Sequence, residues 1–256
     1  MTTSDVMVAY QEKLDSWLTS LGKNQETLQS YVGLIDIQYP TWKAKFDAEP
    51  EDTTRHDARR EYFRNLSVIL QNVRLSFIFM RDQLCDGSWW EHFQRRLSGQ
   101  QAAETLLGYQ TMARQYSATQ IAAVTEQALT SISCSGYGEF RLTVSQGLDN
   151  SCKYVLRRTS LLNDYGELFD VLRLVRNTFH SNGVFSDKAG DIVKEFQGVK
   201  FPFQLGQPIG YDNDNMIAMF RWIGEAMWEI CTSPAVSAIP YVPVVRDRST
   251  GEVPCQ

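Results

Sequence analysis

Residues 173–183 read RLVRNTFHSNG, and they bring together the side-chain types that handle phosphate. Arginine presents a planar fork of donors that matches two phosphate oxygens at once, and histidine exchanges protons near neutral pH. Two arginines beside one histidine can hold the charge of a pentavalent phosphorus and move a proton to or from an oxygen on it. On a wheel at about 100° per residue, Leu168, Leu172, Val175 and Phe179 share a stripe roughly 60° wide. Arg173, Arg176 and His180 share a second stripe centred about 100° round from the first, with Asn177 beside them. The polar row therefore lines the flank of a buried face, half out of water, where charges interact more strongly and a second helix can pack.

The elements that must position this row are mostly helical. Asp164 with Glu167 three residues on reads as a capping box opening its helix, and Gly183 reads as the stop at the C′ position. Residues 151–162 are expected to form the preceding helix, which carries the basic cluster Lys153, Arg157 and Arg158, a possible RNA track beside the row. Upstream, residues 59–84 carry the clearest periodicity: Tyr62, Leu66, Ile69, Val73, Phe77, Met80 and Leu84 step by three and four along one face. Residues 6–21 and 25–35 read as an N-terminal helical pair with Gly22 as the stop between them, and 102–132 as another long helix. After the motif, residues 199–209 alternate around Pro202 and Gly206 as a small hairpin, and residues 216–230 form the last helix, with YDNDN at 211–215 as its cap. The expected fold is all-α, a helical bundle with a small β-hairpin before the last helix. Its expected divisions are an N-terminal helical region at 1–100, a helical domain at 101–233 and a loosely attached tail at 234–256.

Composition narrows the functional classes. A chain of 256 residues, 43% hydrophobic and 21% charged, is globular rather than fibrous or disordered. The opening MTTSDVMVAYQEKLDS lacks a basic stretch followed by an apolar one, so a cytoplasmic protein without a secretory signal is expected. The most apolar stretches, 68–80 and 216–231, are interrupted by charges and too short to span a membrane. Five cysteines without a C-x-x-C pair or a histidine at ligand spacing read as reduced thiols, and a net charge of -5 excludes a general polyanion binder. His56 and His92 have no convergent ligands, Trp89, Trp90 and Phe93 read as core or a partner surface, and YDNDN lacks the glycine and terminal glutamate of a calcium loop.

RNTFHSNG, followed by an apolar residue, a hairpin-like stretch and an amphipathic helix, resembles the HEPN superfamily of helical ribonuclease and nucleotide-binding domains. The resemblance covers residues 164–230, and its mark is an arginine, four to six residues, then histidine, often with asparagine after the arginine. Arg173 has six residues before His180; Arg176 has the asparagine neighbour, Asn177, but only three intervening residues, so the arginine role stays open between them. The resemblance implies a homodimer in which two such helices pool their side chains into a metal-independent cleft without a cofactor. There Arg176 and His180, supported by Arg173 and Asn177, would cleave RNA to a 2′,3′-cyclic phosphate and a 5′-hydroxyl, leaving DNA intact. It also allows a non-catalytic dimerisation module, or a nucleotide-binding partner in a toxin–antitoxin or defence system restrained by an antitoxin or regulatory protein. Against it stand plainer roles: the arginines as a solvated face paired in part with Glu167 and Asp170, and His180 as a helix C-cap.

Overall fold

A computed structural model describes residues 3–38, 57–92, 98–135, 140, 147–188 and 190–244. In chain order the elements are α1 (Thr3–Gln38), α2 (Ala58–Phe79), a single π-helical turn (Met80–Leu84), α3 (Gly87–His92), α4 (Gly99–Ser133), α5 (Leu148–Arg158) and α6 (Leu162–His180). The hairpin strands β1 (Ile192–Phe196) and β2 (Val199–Phe203), then α7 (Asn213–Thr232) and α8 (Pro234–Ser237), complete it. The fold is all-α with one two-stranded antiparallel hairpin before the last helices. No helix among the described residues is long and apolar enough to cross a membrane.

All seven residues of the α2 stripe, from Tyr62 to Leu84, are buried, and the π-turn keeps Met80 and Leu84 in the same row. Burying each such side chain contributes roughly 1.5–3 kcal/mol, which is why one regular stripe is enough to seat a helix. Against α2 lies α1, which also contacts α7, while α4 packs on α2, α5 and α6.

Where two N-terminal helices were expected, one continuous helix runs from Thr3 to Gln38. Leu14, Leu21, Leu28 and Ile35, all buried, repeat every seven residues straight through Gly22. A mid-helix glycine costs only about 1 kcal/mol, less than that row gains by burial. The Arg74 guanidinium lies beside Gly22 and donates to Gln25 Oε1 at 3.0 Å.

The hairpin lies earlier than expected. Ile192–Phe196 pairs with Val199–Phe203 around Gln197 and Gly198, both at positive φ (47° and 79°), the conformation of a tight two-residue turn. Pro202 faces Val193 inside the ladder, tolerated because each strand of a two-stranded sheet is an edge. Phe196 and Phe201 stand edge-on to Trp222 of α7, with ring centroids 5.3 and 6.4 Å away, and this fixes the hairpin to the bundle.

Of the loose tail expected at 234–256, residues 234–244 are packed instead, and residues 245–256 lie outside the described residues. Val236, Ile239 and Val242 are fully buried. Arg59, with no exposed surface, forms a two-pronged ion pair with Asp57 (2.9 and 2.7 Å) and donates to the carbonyls of Val236 (3.0 Å) and Ile239 (2.9 Å). Asp57 Oδ2 accepts the Val242 N–H at 3.1 Å, and Ala58 N–H donates to Val242 O at 2.8 Å. A buried charge is tolerable only when paired and hydrogen-bonded, and this pair meets the condition by clasping residues 236–242.

Candidate functional site

Helix α6 opens differently from the expected capping box. It begins at Leu162, two residues before Asp164; Leu161 occupies the N-cap without a side-chain bond, and Asp164 lies in the first turn, where its charge complements the helix dipole. Its end follows HSNG. Asn182 occupies the C′ position at φ 58°, Gly183 follows at φ 79°, and the Gly183 N–H donates to Thr178 O at 2.9 Å, the bond of a Schellman turn. Glycine at C′ was expected; asparagine, the other residue type that accepts this conformation, takes that place.

Leu168, Leu172, Val175 and Phe179 are buried, so α6 presents the expected face to the core. Arg173 and Arg176 are half-buried, while Asn177 and His180 are exposed at the C-terminal turn. The flank row therefore exists as a run from sheltered guanidiniums to an open imidazole.

Carboxylates from neighbouring helices meet the arginines. Arg173 Nε lies 3.8 Å from Asp149 Oδ1 of α5, and its Nη2 lies 3.7 Å from Asp170 Oδ1 one turn back on α6. Arg176 Nη2 lies 3.7 Å from Glu126 Oε2 of α4. These separations exceed hydrogen-bonding distance, so charge is balanced while donors stay unused; Arg173 Nε is sheltered from solvent with no hydrogen-bond partner among the described residues. The expected partner Asp170 is found on Arg173. Glu167 instead accepts from Lys194 of β1, which also reaches Asp170 at 3.0 Å.

The basic cluster on α5 divides. Lys153 pairs with Asp149 at 2.9 Å and so shares a carboxylate with Arg173, which joins it to the motif. Arg158 lies over the Tyr154 ring, 5.4 Å from its centroid, and Arg157 is exposed. Between α5 and α6 runs a groove of about 310 Å³ whose rim carries Asp149, Lys153, Glu167 and Asp170 and whose floor includes Cys152, its thiol pushed up by burial. Lys153, Arg173, Arg176 and Lys194 are thus set against Glu126, Asp149, Glu167 and Asp170, and the charges cancel. Of the missed residues, Asp149 carries a readable signal, its i,i+4 spacing to Lys153. Glu126 lies some fifty residues from Arg176 and carries none.

Elsewhere the expected roles are modest. Asp212 caps α7 by accepting from the Asn215 N–H at 2.8 Å, as expected for YDNDN. Trp89 and Trp90 are half-buried, with Trp90 Nε1 donating to Leu84 O at 2.9 Å. His92 ends α3; His56, Phe93 and Cys255 lie outside the described residues. Cys85, Cys134, Cys152 and Cys231 are free, and no group of three or more His, Cys, Asp or Glu among the described residues could hold a metal ion.

Comparison with known proteins adds no relative: no family model, curated protein or solved structure matches the chain.

Proposed function

We propose that this chain is a HEPN-like, metal-independent RNA endonuclease acting in the cytoplasm as a homodimer that pairs α6 with α6 of a second copy. The observation that carries this reading is the row itself: Arg173 and Arg176 balanced in charge but making no hydrogen bond to protein among the described residues, one helical face, and His180 open to solvent one turn on. A phosphate entering there would find guanidinium donors free to bond in a sheltered, low-dielectric flank. One imidazole takes the 2′-hydroxyl proton as O2′ bonds to phosphorus; the other, from the second copy, protonates O5′ as the P–O5′ bond breaks. The arginines hold the charge that develops on the non-bridging oxygens. Lys153, Arg157 and Arg158 extend the contact along the RNA backbone.

The reading is tested by incubating purified protein with labelled single-stranded RNA in EDTA, beside a His180→Ala variant that keeps its fold and oligomeric state. Cleavage by the wild type alone supports it. Equal cleavage by the variant would remove His180 from the chemistry.

The balanced charges favour a second reading. Lys153, Arg173, Arg176 and Lys194 each already face a carboxylate, so the flank has no excess positive field to draw a polyanion. On that reading α6 serves a non-catalytic module that dimerises, binds a nucleotide, or seats an antitoxin or regulatory protein of a defence system. Absence of cleavage across a broad RNA pool selects it.

A further inference from the structure

A second surface stands apart from the motif. On α2, Val68, Leu75 and Phe79 are 50%, 54% and 37% exposed; on α4, Tyr109, Met112 and Tyr116 are 38%, 65% and 38% exposed. The two rows adjoin: the Phe79 and Tyr109 rings lie 5.9 Å apart, and Asn72 Nδ2 donates to the Tyr116 hydroxyl at 2.9 Å. Phe79 thus meets Tyr109 where Asn72 meets Tyr116, so the helices run antiparallel and present one continuous face.

That face is free of charge. Every exposed position of α2 from 65 to 79 and of α4 from 105 to 125 is uncharged, in a chain of which 21% of residues are charged. The two arginines within those spans are only partly exposed and turn away, Arg74 to Gln25 of α1 and Arg114 to Asn213 of α7. Exposed aromatic and methionine side chains without charge mark the core of an interface rather than open surface.

We propose that α2 and α4 pack against the same two helices of a second copy of this chain, forming a four-helix contact about a twofold axis. An uncharged face is matched without stranding a desolvated charge only by another uncharged face, and this chain carries one. A copy bearing net charge -5 meets its twin here with no like charges inside the contact. Two helices side by side, about 20 Å wide over a length of about 20 Å, give a flat area on the order of 400 Å² per copy. That places the contact below the standard size of a stable interface, among weak and reversible ones. None of Arg173, Arg176, Asn177 or His180 takes part, so this contact stands independently of the ribonuclease reading.

Sedimentation equilibrium of the full chain over roughly 2–200 µM, a range that brackets weak interfaces, tests it on wild type, Met112→Lys, Leu75→Lys and a hairpin control, Val193→Lys. Met112, Leu75 and Val193 are all more than half exposed, so each variant should keep the wild-type circular dichroism and melting. At the top of the range the wild type and Val193→Lys should be heavier than Met112→Lys and Leu75→Lys: dimer against monomer where this is the sole contact, and larger than a dimer against a dimer where α6 also pairs. Equal mass for all four proteins, or an equal drop in Val193→Lys, overturns the proposal.

Discussion

Removing Arg59 should destabilise the fold strongly. An Arg59→Met substitution leaves Asp57, 4% exposed, as a buried carboxylate whose guanidinium partner has gone. It also strips the Val236 and Ile239 carbonyls of their donors, 3.0 and 2.9 Å away in the wild type. Breaking one partner of a buried pair typically costs about 3–5 kcal/mol, and each stranded buried carbonyl adds about 1–3 kcal/mol unless water reaches it. Where the 234–244 segment lifts and water reaches those carbonyls, the total stays near the lower figure, about 4 kcal/mol. For a chain of this size about 2–4 °C of melting temperature follows each kcal/mol, so a fall of about 10 °C is expected. Urea unfolding followed by tryptophan fluorescence gives the energy, and limited proteolysis shows whether residues 234–244 become the first cut. A loss below about 1 kcal/mol, the scale of an exposed pair, would refute the claim that this ion pair clasps residues 234–244.

Other expectations follow from single contacts. Gly224→Ala should destabilise despite alanine's better helix propensity, by about 1–3 kcal/mol, because the new Cβ would lie 3.0 Å from Leu28 Cδ2; Gly33→Ala, with nothing within 4 Å, should gain about 0.5–1 kcal/mol, and paired thermal melts read both. Burial raises the Glu225 carboxyl above its ordinary value of 4.5, with Arg221 opposing and Glu229 adding to the rise. A raised folded-state value gives stability that is present below the unfolded value and lost as pH rises through the folded one. Glu225→Gln should therefore be more stable than wild type at neutral pH, with the gain vanishing below about pH 4, as denaturant midpoints across pH will show. Glu126→Gln removes the carboxylate 3.7 Å from Arg176 and should tighten RNA binding by at most about fivefold, the worth of one half-exposed pair, in a filter-binding titration; weaker binding would place Arg176 outside the RNA contact.

Legibility tracked how local each interaction is. The α2 stripe and the buried face of α6 were readable because a period of three and four maps directly onto one helical side, and every residue so assigned is buried. The cap at Asp212 and the stop at Asn182 and Gly183 are likewise local. Gly22 misled because the buried row Leu14, Leu21, Leu28 and Ile35 outweighs one glycine, and the row's meaning depends on α2 being alongside. The hairpin moved because Gln197 and Gly198 form its turn while Pro202, ordinarily a breaker, sits harmlessly on an edge. At the site, the flank row was visible from spacing. What answers it was not: Glu126 comes from another helix, and Lys194 takes Glu167 through a hairpin placed by the packing of Phe196 and Phe201. The Arg59 clasp was hidden for the same reason, since its acceptors lie 177 and 180 residues away.

The most direct measurement compares one RNA sequence with the same sequence in which a single nucleotide at the cleaved position lacks its 2′-hydroxyl, with product ends identified by mass spectrometry in EDTA. Cleavage of the all-RNA strand to a 2′,3′-cyclic phosphate and a 5′-hydroxyl, with the modified position left intact, is the result that attack by O2′ under His180 and the arginines requires. Cutting at the deoxy position, or products bearing a 5′-phosphate, would contradict it.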